Sequence, residues 1–330
     1  MLATSPPAIG EAALGWGFGC SRAGALHRRS GRPCQDAHAI WTAAGAGGGS
    51  IALAVADGHG DHRHDLSHLG SMLAVRAAME ELSALHMCLA SEGDRAQLKS
   101  RFKADFPRRL VRRWRETVLT EHLRRGDTSN PESEEDVRIR YGTTLLAALA
   151  VGDILLIGQI GDGGVLLVRE GSEVECPLPN NPLEVGGETD SLGSSDAPRL
   201  WRTAAMERNG GDLLLLATDG LTNAFPDEDQ WRAFALSLQV RIREFGWPDV
   251  ASALPAWLDH YSEMATGDDI TLAVAVLEPR RVGSGSPGSC RAIESEDWSL
   301  SRRMVDVAGD RAEGVRGDEQ GPVRGQEEAG

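Results

Sequence analysis

The chain has 330 residues, 41% of them hydrophobic, enough for one large domain or two small ones around a substantial core. Its 49 acidic against 34 basic side chains give a net charge of -15, which argues against a nucleic-acid partner and against an anionic membrane surface. Phosphorylated partners stay open, provided that bound cations reverse the field locally.

Residues 1–15 carry no basic stretch followed by an apolar one, so they read as a disordered extension and not as a secretion signal. The first strong strand is predicted over 51–56, ending in Asp57-Gly58-His59-Gly60. A helix is predicted over 66–89, where Leu69, Met72, Leu73, Met79, Leu82 and Leu85 recur at helical intervals, and a second over 94–123 with Pro107 as a kink. Three apolar runs follow at 143–151, 154–160 and 165–168. The turns between them, Gly152-Asp153 and Gly161-Asp162-Gly163-Gly164, tolerate positive φ and predict an antiparallel meander, with Asp162 hydrogen-bonded locally. Residues 176–198, rich in Pro, Asn, Gly and Ser, read as a mobile surface loop. A strand at 213–217 ends in Thr218-Asp219-Gly220, and helical pattern fills 228–265 in two pieces broken near Gly246-Trp247-Pro248. Gly267-Asp268-Asp269 opens a last strand at 270–277, and from 280 to 330 apolar periodicity gives way to a low-complexity tail expected to be disordered.

Nowhere does the chain approach ~20 consecutive apolar residues. Cys20, Cys34, Cys88, Cys176 and Cys290 lack CxxC spacing, so neither a disulfide framework nor a structural zinc site is suggested, and a reducing cytoplasm fits. Three times a buried apolar strand meets a carboxylate and a glycine, at Asp57, Asp219 and Asp268. Asp-Gly is a common turn pair, but an anion at a strand mouth is also what a cation compensates, and three recurrences favour the cation. Carboxylates without cysteine or an obvious histidine set favour Mg²⁺ or Mn²⁺ over Zn²⁺.

These segments, with Gln35-Asp36-Ala37, Tyr141-Gly-Thr-Thr144, Gly161-Asp162, Thr218-Asp219-Gly220-Leu221 and Asp268-Asp269-Ile-Thr271, resemble in order and spacing the metal-dependent PP2C-type (PPM) serine/threonine protein phosphatases, over residues 16–277. The resemblance implies a four-layer αββα sandwich, an α+β fold of two central, mainly antiparallel sheets flanked by helices, as a phosphatase domain over 16–279. It also implies two Mg²⁺ or Mn²⁺ ions sharing Asp57, with the Gly58 carbonyl, Asp219 and Asp268 as further ligands. Asp36 would hold metal-bound water, and a water bridging the ions would attack phosphoserine or phosphothreonine directly. His59 matches the family's proposed general acid, although a surface histidine at a helix start is an equal reading.

Three positions depart from the family pattern. Gln35 stands where many members have glutamate, and a neutral amide contributes less to holding a cation. His27 falls where the phosphate-gripping arginine is expected, leaving His27, Arg28, Arg29 and Arg32 as candidate phosphate contacts. The stretch 137–140 lacks the aspartate of a third metal site, so none is expected. Gln35 and Asp269 are candidates to support the ligands from behind.

Elsewhere, His59, Asp61, His62, His64, Asp65 and His68 form the densest ligand-capable cluster, read as a polar loop in preference to a zinc site. Arg108, Arg109, Arg112, Arg113 and Arg115 read as a solvated helix face. The resulting expectation is a monomeric cytoplasmic hydrolase in dephosphorylation signalling, opposed by a serine/threonine kinase. A catalytically weak phosphoprotein-binding regulator and a phosphatase of small metabolites are the alternatives.

Overall fold

The computed structural model describes residues 8–12, 15–43, 50–92, 95–126, 133–178 and 189–278. In chain order, strands β1 (Ala8–Ala12) and β2 (Gly15–Arg22) lead through the short helix α1 (Ala25–Ser30) to β3 (Ala37–Ala43) and β4 (Ser50–Ala56). The long helices α2 (Ser67–Glu92) and α3 (Arg95–Arg125) and the short α4 (Glu134–Arg140) precede β5 (Leu145–Val151), β6 (Ile154–Ile160), β7 (Gly164–Val168) and β8 (Val174–Glu175). The remainder is α5 (Ala197–Leu200), β9 (Arg202–Glu207), β10 (Asp212–Ala217), α6 (Asp219–Thr222), α7 (Glu228–Phe245), α8 (Trp247–Tyr261), a π-helical turn (Ser262–Thr266) and β11 (Ile270–Leu277).

Two antiparallel sheets result, ordered β1-β2-β11-β10-β7-β8 and β3-β4-β5-β6-β9. Strand period explains the layering. Along β4, Ile51, Leu53 and Val55 face the other sheet and meet Leu146, Leu214, Leu216 and Ala275. The alternate residues Ala52, Ala54 and Ala56 face α2, which presents Ala74, Ala77 and Ala78, so small side chains let helix and sheet approach closely. On the opposite flank Leu213 and Leu215 of β10 pack under Phe234, Leu238, Leu254 and Leu258 of α7 and α8. Each such leucine removed from water contributes about 1.5–3 kcal/mol. The four-layer α+β sandwich expected from the resemblance is the observed architecture.

Four expectations are corrected. The run 165–168 does not continue a meander: β5 and β6 pair, but β7 joins the other sheet between β10 and β8. The turn Gly161–Gly164 is therefore a crossing between sheets and not a hairpin. Gly161 and Gly163 adopt φ of 85° and 91°, and the Gln159 amide donates to the carbonyls of Gly161, Asp162 and Gly163. Residues 8–12, expected to be disordered, form an edge strand paired with β2. The segment 176–198 is not wholly a surface loop: Leu192 is fully buried and its N–H donates to the Thr143 carbonyl, although 179–188 lie outside the described residues. Strands β2, β3 and β9, which mix glycine, small and polar residues, carry no run strong enough to announce them. The expected tail at 280–330 lies outside the described residues.

Candidate metal centre

Strand register brings the acidic residues to one end of the sandwich. Ala37 pairs with Ala56, which sets Asp36 beside Asp57 at the margin of β3 and β4. In the other sheet Ala217 pairs with Leu272, so Asp219 and Asp268 flank the adjoining ends of β10 and β11. Thr218 joins the two sheets: its hydroxyl donates to Asp36 Oδ2 at 2.7 Å and accepts from the Thr271 N–H at 2.9 Å.

The backbone of Asp57 is pinned by the Thr143-Thr144 pair. Its carbonyl accepts from Thr143 Oγ1 at 2.7 Å and from the Thr144 N–H at 2.8 Å, while its own N–H donates to Thr144 Oγ1 at 3.1 Å. Gly58 and Gly220 sit where backbone crowds the chain. A Cβ on Gly58 would lie 2.8 Å from carbonyl atoms of Gln35 and Ser67, and one on Gly220 would lie 2.0 Å from the Asp269 carbonyl oxygen. The glycine beside each of these two aspartates thus lets separate segments close around the carboxylates.

Electrostatics set this cluster apart from ordinary surface acids. Burial first, then the charges of Asp36 and Asp219, raises Asp57 well above the usual carboxylate range, and Asp219 lies within hydrogen-bonding reach of it. Asp36 is raised likewise, by burial and then by Asp269. Asp268 is more exposed than these two, yet desolvation and then the charge of Asp219 raise it too, against the Asp269 N–H that donates to its Oδ1 at 2.8 Å. Asp36 Oδ1 and Asp219 Oδ1 are buried without a partner, whereas Asp219 Oδ2 accepts from the Asn223 amide at 3.1 Å. Crowded carboxylates with orphaned oxygens are costly unless a cation satisfies them, and an all-oxygen donor set suits Mg²⁺ or Mn²⁺. No three His, Cys, Asp or Glu side chains among the described residues converge tightly enough to chelate one ion unaided. A Mg²⁺ that keeps several waters needs only one or two carboxylates, so the residues present fit such an ion.

Asp269 is no ligand in this arrangement. Only 2% exposed, it accepts from the Gly24 N–H at 2.5 Å, the Gln35 N–H at 2.5 Å and His27 Nδ1 at 2.9 Å, fastening α1 and the 35–36 segment to β11. His27, the first candidate for gripping phosphate, is thereby engaged, and its hydrogen bond to Asp269 raises its pKa. Arg28 is taken up by Asp259 at 3.3 Å and Glu263 at 3.0 Å. Arg29 and Arg32 are exposed. Gln35 points its amide N–H at Ser67 Oγ (2.6 Å) and the His59 carbonyl (3.2 Å), and its Oε1 is buried without a partner. Burial, then neighbouring His64, pushes His59 down to about 4, so its imidazole is neutral near pH 7. Its Nε2 is buried without a hydrogen-bond partner.

The other clusters separate. Asp61 accepts from the Arg63 N–H at 2.9 Å, Asp65 takes both ends of the Arg140 guanidinium, and no zinc-like set forms among the described residues. On α3, Arg109 and Arg113 close on buried Glu81 at 2.7 and 2.6 Å, and Arg115 donates to the Ser194 carbonyl. Arg108, Arg109 and Arg112 of this basic run are exposed, as a solvated helix face requires, while Arg109 and Arg113 spend their charge on Glu81. Thr218, Thr143 and Thr144 are the positioning residues that sequence reasoning did not single out. All three lie within the quoted motifs, but nothing in a threonine's type tells which carboxylate it will meet.

The protein phosphatase 2C family matches residues 23–259. No curated protein matches the chain significantly. Among solved structures, a bacterial serine phosphatase aligns with a TM-score of 0.50 at 17% identity, and a point mutant with that same description aligns at 0.51 and 16%. Each alignment covers 81% of this chain and 99% of that one. The catalytic domain of the serine threonine protein phosphatase PstP, in complex with 2 manganese ions, has a TM-score of 0.49 at 19% identity, covering 79% of this chain and 97% of that one.

Proposed function

This chain belongs to the protein phosphatase 2C family, and from that premise we propose that it hydrolyses phosphoserine and phosphothreonine in proteins with the help of Mg²⁺ or Mn²⁺. The observation that carries the reading is the meeting of Asp36, Asp57, Asp219 and Asp268 at one end of the sandwich, with buried carboxylate oxygens left unpaired. Asp57, Asp219, Asp268 and the Gly58 carbonyl are the groups that would hold the ions. Bound there, divalent cations would neutralise phosphate charge and bring the pKa of water towards neutrality. Thr218 engages Asp36 Oδ2 and leaves Oδ1 to accept a hydrogen bond from a water, which turns that water's lone pair towards phosphorus. His59, neutral and enclosed, serves as a hydrogen-bond donor to the departing serine or threonine oxygen. With His27 and Arg28 engaged by carboxylates, Arg29 and Arg32 are the cations best able to reach a substrate phosphate. An opposing serine/threonine kinase is the counterpart this reading requires.

The test is turnover of p-nitrophenyl phosphate with and without Mn²⁺. We expect metal-dependent hydrolysis that Asp219→Ala lowers by at least about a hundredfold, the scale of losing a group that stabilises transition-state charge. Absence of metal-dependent turnover, or an Asp219→Ala protein as active as the parent, would sink the proposal.

A further inference from the structure

The turn after His59 holds a second imidazole that neither the metal centre nor the fold's core explains. The rings of His59 and His64 lie 4.9 Å apart at 59°. His64 donates from Nδ1 to the Ile139 carbonyl at the end of α4, which fixes both its rotamer and its tautomer. Around this bond the whole turn is sewn to the same short stretch. The Arg140 guanidinium grips both oxygens of Asp65 at 2.8 and 2.7 Å, the Leu66 N–H donates to the Arg140 carbonyl at 3.0 Å, and the His59 N–H donates to the Gly142 carbonyl at 3.2 Å. Gly142 completes the fit: a Cβ there would lie 2.6 Å from His64 Nδ1 and 2.9 Å from His59 Cδ2, so any other residue would push the rings apart. The short stretch 139–142 thus anchors two histidines, His64 at Ile139 and His59 at Gly142.

We propose that His64 is a positioning residue for His59, holding its ring so that one nitrogen faces the reaction; this rests on the phosphatase reading above. His59 Nε2 is sealed from solvent without a partner, which leaves Nδ1 as the nitrogen able to meet a leaving oxygen. His64 forms the wall that stops the ring from turning over. Its own donor is spent on Ile139, so it acts through His59 and not on the substrate.

The experiment uses the full chain with Mn²⁺ and compares a phosphoserine peptide with p-nitrophenyl phosphate, whose phenolate departs without help. In His64→Ala we expect kcat on the peptide to fall about tenfold with little change in KM, at least about fivefold more than the loss on p-nitrophenyl phosphate. Adding His64→Ala to His59→Ala should cost nothing further, and His64→Gln, which keeps a donor for Ile139, should recover part of the loss. In the metal-free protein, ¹⁵N signals of the His59 ring should report one tautomer in the parent and an average of two in His64→Ala. Equal losses on both substrates, additive losses in the double variant, or an unchanged His59 tautomer would overturn the proposal. Should the parent show no metal-dependent turnover, the phosphatase reading fails, and the tautomer comparison still decides whether His64 sets His59.

Discussion

Thr218 links the two sheets through a single hydroxyl, which donates to Asp36 and accepts from the Thr271 backbone. Replacing it with valine keeps the shape but takes away the 2.7 Å donor to Oδ2 of buried Asp36. We expect Thr218→Val to lose about 1–3 kcal/mol in a urea titration of the metal-free protein, and to weaken Mn²⁺ binding measured by calorimetry. An unchanged urea midpoint would show that the hydroxyl is dispensable. The aspartates themselves were legible in the sequence, because an acid at the mouth of an apolar strand is conspicuous by its cost. The threonines were not, since a hydroxyl's partner depends on register and on how two sheets face each other. Asp269 was half legible: adjacency to Asp268 marked it as a supporting acid, but its three donors come from a segment more than two hundred residues earlier in the chain.

At the level of elements, α1 is too short to stand on its own helical hydrogen bonds and is fastened from outside. Asp269 holds its N-terminal side at Gly24, and the Gly267 carbonyl accepts from the Leu26 N–H at 2.9 Å. Asp269→Ala strips three donors of their acceptor in one step. We expect a loss of about 3–5 kcal/mol, the usual cost of removing one side of a buried charged network, together with faster amide hydrogen exchange across residues 24–36. Exchange unchanged there would mean that β2 and β3 alone define the segment. Elements with strong periodicity, such as β6, β11 and the two long helices, were readable because each buries a regular apolar pattern. The destination of β7 was not, because strand period gives a face and never a sheet. Strand β9 remained invisible for a related reason: its half-exposed residues at the sheet edge carry almost no apolar contrast.

Across the whole molecule, acid should loosen the fold through a histidine away from the carboxylates' inner ring. Burial pushes His38 down to about 4, while its Nδ1 meets the Ser21 hydroxyl at 2.8 Å. The unfolded chain takes up this proton near pH 6.5 and the folded one only near 4, so its contribution is complete above about 6.5 and is lost as pH falls towards 4. The effect amounts to no more than about 3 kcal/mol. Urea midpoints between pH 7 and pH 4 should fall less steeply in His38→Gln than in the parent; parallel slopes would assign the acid sensitivity to other groups.

Strand β2 lies between β1 and β11, so a strand made near the start of the chain pairs along its whole length with one made near the end. A ribosome delivers residues 15–22 long before residues 270–277 exist. Until the last strand emerges, β1 is the one strand paired with β2 in its sheet, while the sheet carrying Asp57 already has its strands in hand. Nascent chains halted before residue 268 should therefore keep β2 open to protease and lack a working centre, with Asp268, the last acid of the cluster, arriving in the same few residues that complete the sheet. Such long-range closure is slow and leaves apolar edges exposed on the way.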